Sequence, residues 1–542
     1  MKMFTLPSIS RMCSLSCSGK TPMMARNRGI LTTAFVFALL AFLLSKFPTS
    51  EHKAPAAMSN LKINSTGQTP ICISTAVILP GRTYSEHNAV YQNFLGTYWS
   101  LNAAESKPSC IVQPSSTEEV SKAVKILKDA FDENEDARCT VRSGGHSPEA
   151  GFSSVTNGVV IDMSLFNEIL VSQDRSAAVI GVGARWREVY SRLDEEGLAV
   201  VGGRNANVGV GGLVLGGGVS FFSPRFGMVC DNIDSYEIVL ANSSIVEATA
   251  HSHAALWRAL KGGTGNFGIV TRVTAKAFLS GKIWAGYAYW PDWQTSKALK
   301  AFHDFNKPEN FDPFASGPIF AMSYVRDLGV RLTVSSFAYT KPETWPSVFD
   351  GFRSIWRLWS TTKIRSLTSA TEELDSLAPS GQRQFQVTTT IENDLGTFEK
   401  FNEIYTEKLK GTKNVKGAVW SLVFQPLSAS VTRKGDPNAL GLETRHVNDT
   451  LIIALVCVSW KHVKDDELVH RTSREIIDLG KKYAQERGTA DPYIYLNYAA
   501  SGQDVFGGYG EANRDFLREV SKKYDPDGFF QRARQGGFKL DP

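Results

Sequence analysis

The chain has 542 residues, 42% hydrophobic and 21% charged, with a formal net charge of +5. That length is enough for two domains and a large core, in an ordinary globular balance. So small a charge, with no Lys/Arg stripe interleaved with aromatics, leaves no nucleic-acid footprint.

The first 28 residues carry Lys2, Arg11, Lys20, Arg26 and Arg28 and no acid. An apolar run follows at 30–44. It is longer than most signal-peptide cores and short for a membrane span, which needs about 17–25 residues. Extended to 29–48 it can span as a signal anchor, and the basic flank predicts a cytoplasmic N-terminus and a lumenal body. A cleaved signal is the alternative, although the small residues Ala54-Pro55-Ala56 lie far from the run. Met23 or Met24 offers a later start. Either route sends the body into the secretory pathway, as a single-pass membrane protein or a secreted one. Sequons at Asn64, Asn242 and Asn448 agree with glycosylation there. Five of the seven cysteines follow the run, at 72, 110, 139, 230 and 457. None forms a CxxC or a His/Cys cluster of ligand spacing, so no metal is expected. Spacing alone leaves disulfide connectivity open.

Residues 49–70 read as a polar linker, and 71–100 as mixed structure. Cys110 to Pro114 is a short strand closed by proline. Ser116-Thr117-Glu118-Glu119 is a capping box ahead of Val120, Ala123, Val124 and Leu127 at helical spacing. A strand at 139–141 delivers the loop Val141-Arg142-Ser143-Gly144-Gly145-His146-Ser147-Pro148. Gly144 and Gly145 permit positive φ and close approach of an anion, and an imidazole stands just beyond them. Alone, this reads as a glycine turn with a surface histidine; the glycine segments downstream change that. Strands at 158–163 and 177–183 and a helix at 186–196 follow.

A second glycine segment runs Val208-Gly209-Val210-Gly211-Gly212-Leu213-Val214-Leu215-Gly216-Gly217-Gly218. It has no lysine where a Walker A loop needs one, and lacks the third glycine of a dinucleotide fingerprint. What remains is a loop whose backbone amides can lie against phosphate. Past a strand at 233–240 and a helix at 253–260, a third segment runs Gly262-Gly263-Thr264-Gly265-Asn266-Phe267-Gly268-Ile269-Val270-Thr271. His251 and His253 read as exposed residues at the helix start. Beyond Leu279, strand candidates fall at 283–290, 330–339, 385–391, 419–424 and 451–460, several with one-face-buried alternation. The tail carries Tyr493-Ile494-Tyr495-Leu496-Asn497-Tyr498, then Tyr509-Gly510, then 523–530.

The three glycine segments in this order resemble the vanillyl-alcohol oxidase/p-cresol methylhydroxylase superfamily, and in particular fungal berberine-bridge-enzyme-like FAD oxidoreductases. The likeness is strong over roughly residues 70–280, good in the tail, and positional in between. It implies an α+β protein: a two-part PCMH-type FAD-binding domain at 71–282, a substrate domain at 283–485 with an antiparallel sheet and flanking helices, and a C-terminal return at 486–542. It implies a Cys72–Cys110 disulfide at the domain entrance. It also implies FAD bonded covalently to His146. The cofactor's surroundings would be Arg142, Ser143, Gly144, Gly145 and Ser147. Val208, Gly209, Gly211, Gly212, Gly216, Gly217 and Gly218 would follow, then Gly265, Asn266, Gly268 and Ile269, with Asn497 from the tail. Asn266 is also readable as a loop cap. Bicovalent members carry a cysteine just before the second segment; here Gly203-Arg204-Asn205-Ala206-Asn207 has none. A single link through His146 is therefore expected, which disfavours an oligosaccharide oxidase.

FAD accepts hydride, and the protein orients and tunes it. A donor alcohol must also lose its hydroxyl proton, and a tyrosine near positive charge or another hydroxyl can take it. Tyr498 or Tyr495 is that base by the resemblance. Gln386, Thr388, Trp420, Phe424 and Gln425 are candidates for the pocket wall, each also readable as an ordinary sheet residue. The expected activity is oxidation of an alcohol or amine, a small-molecule secondary metabolite, with dioxygen as acceptor. A carbohydrate oxidase, a dehydrogenase with another acceptor, or a binding protein on a flavoprotein scaffold are the alternatives.

Overall fold

The computed structural model describes residues 69–133, 136–443, 445 and 450–541. The apolar run at 30–44 and the sequons at Asn64 and Asn448 lie outside them. Among the described residues, no helix is long and apolar enough to cross a membrane, and no cluster of His, Cys, Asp or Glu could hold a metal ion.

The described residues form three sheets. In the first, β2 (Cys110–Val112), β4 (Val159–Asp162) and β3 (Cys139–Arg142) run parallel, with β1 (Thr83–Tyr84) antiparallel at the edge. The helix Thr117–Asp132 packs beside it and buries Val120, Ala123, Val124 and Leu127, so the apolar spacing does select the buried face. Its cap departs from the simple box. Ser116 Oγ accepts from Glu119 N, but Glu119 reaches back to Ser115 N at 2.7 Å rather than to Ser116.

The second sheet has the order β5 (Ile169–Val171), β6 (Ala177–Gly181), β10 (Ile269–Leu279), β8 (Ile233–Val239), β9 (Ile245–Thr249), with β7 (Leu198–Val200) also on β10. The third glycine segment thus runs straight into β10, whose eleven residues are the spine of this sheet.

The third sheet is antiparallel and has nine strands. These are β11 (Ile283–Pro291), β12 (Ala315–Val325), β13 (Val330–Tyr339), β14 (Trp359–Ser360), β15 (Lys363–Arg365), β16 (Arg383–Glu392), β17 (Val419–Leu427), β18 (Leu451–Trp460) and β19 (Ala490–Asp491). β13 and β18 match the sequence expectation residue for residue. β12 was not expected. Gly317-Pro318 near its start reads as a turn, yet the pair sits in an irregularity of register between Ser316 and Ile319, where a missing N–H costs no ladder bond.

Two main cores result. One unites the first two sheets with tail residues such as Tyr493, Phe529 and Phe530. The other fills the space between the third sheet and the helices Thr295–Phe305, Leu395–Leu409 and Asp466–Arg487. Trp420 and Phe424 are fully buried in that second core, which corrects their candidacy as pocket residues. On a strand, neighbours point to opposite faces, so with Phe424 toward the helices Gln425 faces the other way.

Cys72 and Cys110 are joined, closing the helix Pro70–Ile78 onto β2 across 38 residues of sequence. Loop entropy of that size makes Cys110→Ser cost about 4 kcal/mol. A shift in denaturant midpoint worth under about 1 kcal/mol would show that the unfolded chain is constrained by something else.

Candidate flavin-binding and catalytic site

The loop after β3 and the loop leading into the short helix Val210–Leu215 cross with almost no space between backbones. A Cβ on Gly144 would lie 2.6 Å from Gly209 N, and one on Gly209 would lie 2.3 Å from Gly144 N. Only glycine fits at either position. Ser143 Oγ staples the crossing: it donates to Val182 O at 2.6 Å and accepts from Gly211 N at 3.2 Å. Arg185 Nη2 donates to Gly144 O at 2.9 Å, and its Nη1 reaches Asn207 O. Val208 O accepts from Trp186 N at 3.1 Å. Gly212, one turn on, has open space where a Cβ would be.

His146 follows this crossing. Its ring lies flat on Trp99, with centroids 4.4 Å apart and planes 9° from parallel. Part of the residue is accessible, but Nε2 is shut off from solvent and has no hydrogen-bond partner among the described residues. Burial, helped by the charge of Arg185, pushes the imidazole down to about 3. It is therefore neutral at ordinary pH, with its lone pair available. A buried, unsatisfied ring nitrogen is costly in a finished site and expected in one that awaits a partner.

Arg142 sits differently from the expectation. Its guanidinium bonds Asp162 Oδ1 at 3.3 Å and Thr97 Oγ1 at 2.6 Å, between the rings of Phe94 and Tyr98. Those contacts anchor the end of β3, so its side chain is committed to the fold. Gly145, at φ 66°, turns the chain over this guanidinium; a Cβ there would meet Arg142 Nε at 2.6 Å. Ser147 Oγ accepts from Glu149 N within its own turn.

In the third segment, Asn266 is fully enclosed. Its amide donates to Gly263 O, Thr264 Oγ1 and Phe538 O, closing the loop on the C-terminal segment. This is the loop-cap arrangement. Gly265 lies against Arg534, Gly268 against Val239 O, and Ile269 begins β10.

The tail delivers the remaining groups. Asn497 sits against the second segment: its Nδ2 donates to Leu213 O at 3.2 Å, and a Cβ on Gly216 would meet its Oδ1 at 2.2 Å. Gly217 and Gly218, at φ 100° and 80°, then turn the chain away. Asn497 Nδ2 also donates to Tyr495 OH at 3.2 Å. Burial holds the Tyr495 hydroxyl far above its ordinary range. Tyr498 meets Tyr495 edge to face at 4.9 Å, and its hydroxyl has other neighbours. It donates to Gln425 Oε1 at 3.3 Å and accepts from Arg204 Nη2 at 3.3 Å, while the same nitrogen donates to Gln425 Oε1 at 2.6 Å.

Arg204 is the functional candidate missed from sequence. Its signal in the sequence is its place just before the second glycine segment, in the stretch where bicovalent members of the resembled family carry a cysteine. Of the other wall candidates, Thr388 is buried and donates to Ala454 O, and Gln386 Nε2 lies 3.8 Å from Cys457 Sγ. The residues present fit a flavin: a neutral unsatisfied imidazole, a small-residue crossing with open space at Gly212, and a tyrosine beside a cation.

Residues 108–249 match the family described as FAD binding domain. The chain is 36% identical over 480 residues to the FAD-dependent monooxygenase sdcF of Emericella nidulans, across 86% of this chain and 96% of that protein. It is 33% identical over 461 residues to the FAD-dependent monooxygenase drtC of Aspergillus calidoustus, across 84% and 86%. Its fold is similar to that of 6-hydroxy-D-nicotine oxidase from Arthrobacter nicotinovorans, with a TM-score of 0.68 and 20% identity over 85% of this chain and 98% of the other. Physcomitrella patens BBE-like 1 is similar at a TM-score of 0.67 and 19% identity, over 87% and 99%.

Proposed function

We infer that this chain, which belongs to the FAD-dependent oxidoreductases of berberine-bridge-enzyme-like type, oxidises an alcohol or amine group of a small molecule with FAD held by one covalent bond to His146. The enclosed, neutral and unbonded ring of His146 carries the reading. Bound FAD supplies a hydride acceptor that dioxygen can reoxidise.

The chain's own residues supply the rest. The Gly144/Gly209 crossing lets backbone approach the cofactor, and Trp99 fixes the plane of the imidazole. Tyr498, acting as a phenolate with Arg204 against its oxygen, takes the proton of the donor hydroxyl as hydride leaves, and Gln425 orients the phenol O–H so formed. Tyr495 serves packing and holds Asn497. The Cys72–Cys110 disulfide supports an oxidising, secretory compartment.

Anaerobic mixing with a panel of alcohols and amines tests this. Bleaching of the visible flavin bands by one donor, followed by peroxide on admitting air, is expected. Bleaching without peroxide would move the acceptor away from dioxygen. A flavin that no donor reduces would favour a binding protein on this scaffold.

A further inference from the structure

A cavity of about 410 Å³ opens beside the Arg204–Gln425–Tyr498 cluster. Arg204 lines it while only 7% exposed, and Phe305, Phe311 and Pro426 give it apolar walls. Among the described residues, no carboxylate pairs with Arg204; its hydrogen bonds go to the neutral Gln425 and Tyr498. The charge imbalance extends outward. Arg433 lines the cavity, and its Nη2 donates to a carbonyl, Arg445 O. Lys434 Nζ donates to Pro224 O at 2.6 Å, and Arg225 packs 4.5 Å over the Phe226 ring. None of these three has an ion-pair partner among the described residues. Lys307 also lines the cavity but is neutralised by Asp304 at 3.0 Å. The acid of the lining, Asp312, is committed to Tyr339 OH and Phe314 N.

Arg204 and Arg433 in the lining, without counter-ions among the described residues, with Lys434 5.5 Å over the ring of the lining residue Phe311 and Arg225 next in sequence to the lining residue Pro224, make an anion favourable in this cavity. We propose that this cavity selects negatively charged substrates, namely an aromatic or alicyclic alcohol that also bears a carboxylate or an ionised phenol. The ring lies against Phe305 and Phe311, the anionic group faces Arg433, and the oxidised carbon lies toward Tyr498. This rests on the oxidoreductase reading for the identity of the reacting group, but the charge preference can be read without turnover.

The test is calorimetric titration of the purified flavoprotein with 2-naphthoate and with its neutral counterpart 2-naphthalenemethanol, at low and high salt. Naphthoate is expected to bind about tenfold tighter, as one charge-assisted contact allows, and the margin is expected to shrink in salt. Arg433→Gln, an exposed position that does not enter the core, is expected to remove most of the preference while the flavin spectrum stays unchanged. Equal affinity for the two probes, binding of neither, or a preference that survives Arg433→Gln overturns the assignment. Flavin in the same sample, read from its absorbance, keeps that failure separate from one of the oxidoreductase reading.

Discussion

Acid-precipitated parent protein is expected to carry its flavin into the pellet, and His146→Ala protein to leave it in the supernatant. Nε2 makes no hydrogen bond among the described residues, so removing it leaves no buried partner unsatisfied. The loss is the stack on Trp99 and some packing, about 1 kcal/mol, too little to unfold the domain. Ser143, Arg185 and the glycine crossing remain, so FAD is still expected to bind, but reversibly. An untethered flavin is a weaker oxidant, and turnover is expected to fall about tenfold or more, a barrier change of ~1.4 kcal/mol or greater. Flavin that still pellets with the variant would remove His146 from the covalent role, whatever the activity.

Tyr498→Phe is expected to slow flavin reduction by about a hundredfold or more, within the range for loss of a general base. The change should fall on the reduction step with little effect on substrate affinity, because the ring and its edge contact with Tyr495 are kept. Tyr495→Phe is the control. It removes an acceptor for Asn497 Nδ2, which costs about 1 kcal/mol of stability, and it should leave reduction within a few-fold of the parent. The two hydroxyls differ in surroundings. That of Tyr495 is enclosed and held protonated by burial, whereas that of Tyr498 touches the guanidinium of Arg204, which lines the cavity. Rapid-mixing kinetics of the two variants with one donor decides between them. A slow Tyr495→Phe and a normal Tyr498→Phe would reverse the roles.

Much of the architecture was legible in local pattern. β13 and β18 could be read to the residue because each is a continuous β-rich run bounded by turn residues. The three glycine segments stood out because close approach of one backbone to another, or to a ligand, tolerates no side chain, and that demand is written directly as composition. The Cys72–Cys110 pair followed from the resemblance those segments carry, not from spacing. β12 escaped because Gly317-Pro318 is a turn signal locally but only a shift of register near the start of an interior strand in the sheet.

The sequence by itself thus pointed, through the resemblance its three glycine segments carry, to the fold class, the flavin family and the histidine beside the first segment, whereas the crossing of Gly144 and Gly209 belongs to the tertiary structure. The tertiary structure alone decided which groups surround Tyr498. Arg204 meets Gln425 and Tyr498 across 221 and 294 residues, and no local periodicity encodes such a meeting. It also decided that Gln425, not Phe424, faces that cluster: alternation says that neighbours point oppositely, but only the helices packed behind the third sheet say which face is covered.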